Sequence, residues 1–191
     1  MESQSGPGSA LVETQGIREG LPNLIKALNV RTLLDAPCGD FNWMKSVVKS
    51  VESELDAYVG VDIWKAVVEQ NQNLYGGTKN IQFLVSDIVN SSVPKADLIV
   101  CRDCLVHLSF QDGLKAIANF KSSGSRFLAA TSYWDITENV DCTTGSWRKV
   151  NLEFPPYSLG SPIASIVERG PRCVYGADDY GKLLSVWPLQ G

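Results

Sequence analysis

Five short apolar runs, at 32–36, 57–62, 81–86, 97–101 and 126–132, recur along this chain at the spacing of strand–helix units. Most of the stretches between them carry a helical pattern. Residues 17–29 place Ile17, Leu21, Leu24, Ile25 and Leu28 on one face, with Pro22 expected in an early turn where proline is tolerated. Residues 42–52 align Val47, Val48 and Val51 with Trp43, and Trp43 and Met44 read as core residues. Residues 64–76 form a third helix that Gly76 and Gly77 would stop, and residues 110–124 a fourth that ends at Gly124. Strands that alternate with helices in this way fold as a parallel sheet covered on both faces. The rhythm breaks at 133–160, a stretch rich in aromatic, proline and polar residues with no clear period. Long irregular segments of that kind are often functional, and this one is expected to be a substrate lid. "SPIASIVERG" and "KLLSVWPL" then read as two closing strands joined by the turn-rich "PRCVYGADDYG". The expected fold class is α/β: a doubly wound sheet of seven strands, mostly parallel, with a C-terminal antiparallel hairpin strand. Residues 1–16 form an arm, and with no linker, repeat or heptad pattern, 1–191 reads as one domain.

Composition narrows the function. The chain has 191 residues, 44% hydrophobic and 20% charged, which is enough to bury a sizeable core. Formal net charge is -4, a poor match to an extended nucleic-acid surface, so a small-molecule partner is expected. No apolar run reaches the ~18 residues of a membrane span. The polar, acidic N-terminus does not resemble a signal peptide, so the expected compartment is the cytoplasm and no membrane partner is expected. Five scattered cysteines read as free thiols. Cys101 and Cys104 have C-x-x-C spacing, but with a single histidine in the chain they lack a second ligand pair for zinc, and no metal site is expected.

In a doubly wound sheet the ligand lies beyond the carboxyl ends of the strands. The first of these ends is "DAPCGD", Asp35 to Asp40. A pyrophosphate needs G-x-G-x-x-G at a helix N-terminus. Here one glycine, Gly39, stands between carboxylates, which would repel a pyrophosphate and suit a ligand with a sulfonium and an ammonium. Asp62 ends the second strand, where a carboxylate accepts hydrogen bonds from both ribose hydroxyls of an adenosine. Both features favour S-adenosylmethionine as the cofactor.

The chain resembles the class I S-adenosylmethionine-dependent methyltransferases, whose fold is Rossmann-like. "LLDAPCGDFNWM" is similar to that family's first motif: Asp35 stands at the acidic position, Pro37 replaces the first glycine, Gly39 matches the second and Phe41 replaces the third. "YVGVDI" resembles the second motif, "VSDI" the third and "ADLIVCRDCLVHLS" the fourth. The resemblance implies that Asp35, Ala36, Pro37 and Gly39 cradle the cofactor, that Asp62 meets its ribose with Ile63 beside it in the cofactor site, that Asp87 meets the adenine amino group and Ile88 the ring, and that Arg102 contributes from the fourth strand end. It also implies that Arg18 meets the methionine carboxylate. "SGPGS" and "GSWRKVNLEFPP" resemble a bacterial-type subgroup with unassigned substrates. Members of that subgroup begin upstream of Met1, which implies a missing N-terminal piece.

His107, the chain's only histidine, follows the fourth strand and is the candidate base, with Arg102 and Asp103 beside it as candidate catalytic residues. Trp64 could stack beside the adenine, or pack on its helix. Asp40 could cap the second helix or touch the cofactor. Trp147, Arg148, Asn151, Glu153 and Tyr157 mix aromatic and charged groups as a polar-substrate pocket would. The expected reaction is methyl transfer to an oxygen or nitrogen of a small or glycan-like substrate, with oligomeric state open. Two rivals stand beside it: a non-catalytic adenosylmethionine-binding or adaptor protein, and an NAD-dependent oxidoreductase, which the absent G-x-G-x-x-G opposes. A thiol oxidoreductase built on Cys101 and Cys104 comes last.

Overall fold

The computed structural model describes residues 2–77, 80–168 and 181–189. Seven strands form one sheet: β1 (Thr32–Asp35), β2 (Ala57–Asp62), β3 (Ile81–Val85), β4 (Leu98–Cys101), β5 (Phe127–Tyr133), β6 (Ala164–Val167) and β7 (Lys182–Pro188). Their order is β3-β2-β1-β4-β5-β7-β6. The first five are parallel, and β7 runs antiparallel to both β5 and β6. The order reverses between β1 and β4, so the expected cleft opens where the β1 and β4 ends diverge.

Helices α1 (Gln15–Ala27), α2 (Met44–Ser50) and α3 (Lys65–Tyr75) cover one face, and α4 (Phe110–Ser122) the other. The core alternates accordingly along each strand. Leu33, Tyr58, Phe83 and Val100 point toward α1–α3; Leu34, Val61, Ile99 and Cys101 point toward α4. The closing strand serves both faces, with Leu184 and Val186 on the first and Trp187 on the second.

Helix α1 begins two residues before the apolar pattern suggests, which places Pro22 in the helix interior. Ile17, Leu21 and Ile25 are fully buried around it, and their packing holds a helix that lacks one backbone donor. Residues 133–160 are anchored to the sheet. Val150 and Leu152 are fully buried, Tyr133 N–H donates to the Val150 carbonyl at 2.8 Å, and Asn139 and Asn151 exchange hydrogen bonds. Arg148 donates to the carbonyls of Leu105 and Val140 and to the Tyr157 hydroxyl. So Arg148, Asn151 and Tyr157 are occupied in fastening this segment, while Trp147 is exposed and packs edge-on against Tyr133. The expected turn at 171–181 lies, but for Gly181, outside the described residues, as does Cys173. Among the described residues no helix is long and apolar enough to cross a membrane.

Candidate active site

The loop after β1 departs from a glycine-rich turn in a way the structure accounts for. Asp35 is buried, and its carboxylate accepts a hydrogen bond from the Tyr58 hydroxyl at 2.7 Å. Burial pushes the Asp35 carboxyl up to about 7, against the pull of Tyr58 and Arg102 and with a further push from Asp62. Ala36 is equally buried and donates to the Val100 carbonyl at 2.8 Å, so Pro37 is the first residue of the loop to face the cleft. Gly39 has φ 51°, and a side-chain carbon there would fall on the Ser5 hydroxyl. Phe41, where a third glycine is usual, also has a left-handed backbone, φ 59°. Its ring is buried among Tyr58, Tyr75 and Phe83, with centroids 5.0–5.2 Å away. A left-handed residue costs ~1–2 kcal/mol, and burying a ring of this size returns about as much or more.

The N-terminal arm lies across this loop. Asp40 accepts from the Ser3 hydroxyl at 2.8 Å, the Gln4 N–H at 2.6 Å and the Ser5 hydroxyl at 3.2 Å. Asp40 is therefore the arm's anchor, and the residue at the N-cap of α2 is Trp43. Arg18 donates to the Leu11 carbonyl at 2.8 Å, so it too fastens the arm and lines neither part of the cleft.

At the end of β2 the two Asp62 oxygens accept one backbone N–H each, from Gly39 at 3.0 Å and Trp64 at 2.9 Å. Each oxygen keeps a lone pair for a ribose hydroxyl. Ile63 and Trp64 project outward with 68% and 50% exposure, beside opposite ends of the cleft. Trp64 sits at the Gly39 end and Ile63 at the Asp87 end. Past β3, Asp87 accepts from the Asn90 amide at 2.7 Å and the Val89 N–H at 2.9 Å, and these hydrogen bonds lower its pKa. Ile88 is buried beneath it.

At the end of β4, Arg102 and Asp103 pair with each other, with Nη1 to Oδ2 at 3.2 Å. Sequence reasoning missed their other partners. Arg102 also binds Glu168 through Nε and Nη2, at 3.1 and 3.0 Å, and donates to the Gly8 carbonyl. Lys182, the first residue of β7, donates to Asp103 at 2.8 Å and lies 3.2 Å from Glu168. Burial alone would raise the Asp103 pKa, but Arg102 and Lys182 outweigh it and lower it. Neither Glu168 nor Lys182 carries a local signal: each reads as a polar strand terminus, and only the hairpin brings them to β4.

His107 ends a short 3-10 turn, is exposed, and lines the cleft. Its Nδ1 lies 2.8 Å from the Ser146 carbonyl. A carbonyl can only accept, so in the neutral ring Nδ1 carries the proton and Nε2 is left with the free lone pair. The Gly145 N–H donates to the His107 carbonyl, so the 133–160 segment braces this residue without covering it. The Cys101 thiol is buried and held protonated well above the usual range.

Together these residues line a two-part cleft. One part, about 450 Å3, is lined by Asp62, Ile63, Asp87, Ile88, His107 and Leu108 among others. The other, about 290 Å3, lies under the arm at Gly39, Asp40, Trp64 and Arg102. Pro37, Asp62 and Asp103 line both. Asp35 and Ala36 lie beneath the loop and line neither. The larger part is lined by the carboxylates of Asp62, Asp87, Asp103 and Asp112 and, among the described residues, by no lysine or arginine. A pyrophosphate finds no counter-charge there. An adenosine with a cationic sulfur finds a diol acceptor, an acceptor for its amino group and apolar side chains for its ring.

Residues 34–128 match a family described as the methyltransferase domain. The chain belongs to the class I S-adenosylmethionine-dependent methyltransferases. This methyltransferase resembles several solved structures in fold. The methyltransferase domain of bacterial CtHen1-C aligns with TM-score 0.66 at 14% identity, covering 94% of this chain and 100% of that one. The N-methyltransferase NodS from Bradyrhizobium japonicum WM9, in complex with S-adenosyl-L-homocysteine, aligns with TM-score 0.61 at 16% identity over 93% of this chain and 89% of its own. Magnesium protoporphyrin IX methyltransferase from Synechocystis PCC 6803, with the same product bound, gives 0.63 at 14% over 94% and 85%. Among curated proteins, no sequence matches the methyltransferase.

Proposed function

We propose that this methyltransferase methylates an oxygen or nitrogen of a small or glycan-like molecule, with His107 as the base. The observation that carries this reading is the 2.8 Å contact of His107 Nδ1 with the Ser146 carbonyl on the wall of the cleft: a carbonyl only accepts, so the contact assigns the proton to Nδ1 and leaves Nε2 as the basic nitrogen. S-adenosylmethionine supplies an electrophilic methyl group. Asp62 would hold the ribose, Asp87 the adenine amino group, and Ile63 and Ile88 the ring. Pro37 and Gly39 let the chain approach the amino-acid end, in the smaller part that Arg102 also lines, and Asp103 lines both parts. His107 then accepts the proton that the acceptor hydroxyl or amine loses as it reacts. The remaining gain comes from holding the reactants in line. The larger part of the cleft, lined among the described residues by no lysine or arginine, supports an acceptor without a phosphate or carboxylate at its reacting end.

His107→Ala is expected to lower kcat by about a hundredfold or more while leaving affinity for the cofactor within a factor of about two, since the side chain is asked only for proton transfer. Single-turnover methylation and calorimetry on the same preparation check both halves. Loss of cofactor affinity with unchanged kcat would remove His107 from the chemistry.

A further inference from the structure

A separate cavity of about 640 Å3, larger than either part of the cleft, lies toward the opposite end of the sheet. Its walls come from α2, from Tyr75 at the end of α3, and from Ala57 and Ile81, the first residues of β2 and β3. Ala57 is about 16 Å of strand away from Asp62 at the far end of β2. The floor is apolar, built by Phe41, Val48, Leu55, Tyr58, Tyr75 and Ile81. Lys45 and Lys49 line the rim, exposed and one turn apart on the same face of α2. Neither forms an ion pair among the described residues. Two carboxylates share that rim. Asp56 is taken up by Arg31, and the two lysines outnumber Glu52. A concave apolar floor of this size, with a few polar groups at its edge, has the form of a small-molecule site. Its three aromatic rings suit a flat ligand, and its surplus of positive charge suits an anion.

The same floor supports the cofactor loop. Phe41 lies two residues past Gly39, and its left-handed backbone is held by the packing of its ring on Tyr58 and Tyr75. The Tyr58 hydroxyl donates to Asp35 under that loop. One turn before Tyr75 on α3, the buried Asn71 donates to the Gly39 carbonyl at 2.8 Å. A molecule on this floor therefore rests against a ring of the loop, against the partner of Asp35 and against the helix that holds Gly39.

We propose that this cavity is an effector site for a small planar apolar molecule carrying one anionic group, and that filling it steadies the loop after β1 and tightens cofactor binding. The coupling rests on the reading that the cleft holds S-adenosylmethionine; the site itself does not. Such coupling is reciprocal, so each ligand raises the affinity of the other by the same factor.

The probes are 2-naphthoate, its uncharged amide and S-adenosylhomocysteine, titrated calorimetrically into the full chain singly and in pairs. Naphthoate is expected to bind about tenfold more tightly than the amide, from two exposed charge pairs. The double variant Lys45→Gln, Lys49→Gln changes only exposed side chains and is expected to abolish that preference. Leu55→Trp, which fills the cavity, is expected to weaken both naphthalene probes by about tenfold or more, with a thermal melt to check its fold. Saturating naphthoate is expected to tighten S-adenosylhomocysteine by about fivefold, and the homocysteine to tighten naphthoate equally. Naphthoate that binds no better than its amide, or a preference that survives the loss of both lysines, would overturn the site. Naphthoate affinity indifferent to S-adenosylhomocysteine would overturn the effector role. Protein that binds naphthoate but no S-adenosylhomocysteine would overturn the cofactor reading, and with it the coupling but not the site.

Discussion

Asp62→Ala is expected to weaken S-adenosylmethionine binding by about two orders of magnitude, the sum of two lost hydrogen bonds to a charged acceptor at ~1.5 kcal/mol each. The carboxylate serves two purposes at once. Its free lone pairs face the ribose, and its bonded ones hold the Gly39 and Trp64 N–H groups, so that the loop after β1 and the start of α3 depend on the same side chain. Asp62→Asn keeps an acceptor for one of these groups and removes the charge, so its loss is expected to be smaller, about tenfold. Titration followed by the fluorescence of Trp64, which is half exposed beside the cleft, checks both. An alanine variant that binds as tightly as wild type would remove Asp62 from the ribose site.

Asp35→Asn is expected to stabilise the ligand-free protein, and increasingly so as pH rises. The sign follows from the direction of the shift. The Asp35 carboxyl titrates at about 7 in the folded protein against an ordinary 3.8, so the folded state holds a proton that the unfolded chain has released. Stability from this group is greatest in acid and falls as pH rises from about 4 to about 7, and it is flat above that. Asparagine has nothing to titrate and still accepts the Tyr58 hydroxyl. Between pH 5 and pH 8 the variant should therefore gain about 2–3 kcal/mol relative to wild type. Urea unfolding at the two pH values measures this, and equal differences at both would contradict it. A site that retains a costly buried carboxylate under its cofactor loop is a common trade of stability for function.

The strand–helix alternation made the sheet legible because each βα unit carries its own apolar period, and the ligand-facing strand ends followed from it. Asp62, Asp87 and His107 lie on the cleft because each sits at, or a few residues past, a strand end that the alternation marks. What stayed hidden depends on contacts distant in sequence. Lys182 and Glu168 reach Asp103 only through the antiparallel hairpin, and Ser3, Gln4 and Ser5 reach Asp40 only because the arm folds back. Arg148 and Tyr157 look like pocket residues in sequence, since mixed aromatic and charged composition marks internal fastening as readily as ligand contact. Phe41 replaces a glycine of the motif, and the reason lies in contacts distant in sequence: its ring packs among Tyr58, Tyr75 and Phe83.

The central claim is that the carboxylate-lined cleft holds S-adenosylmethionine. Calorimetric titration of the full chain with S-adenosylmethionine, S-adenosylhomocysteine and NAD tests it most directly. Saturable heat with the first two and none with NAD is the expected result. Binding of NAD alone would contradict it.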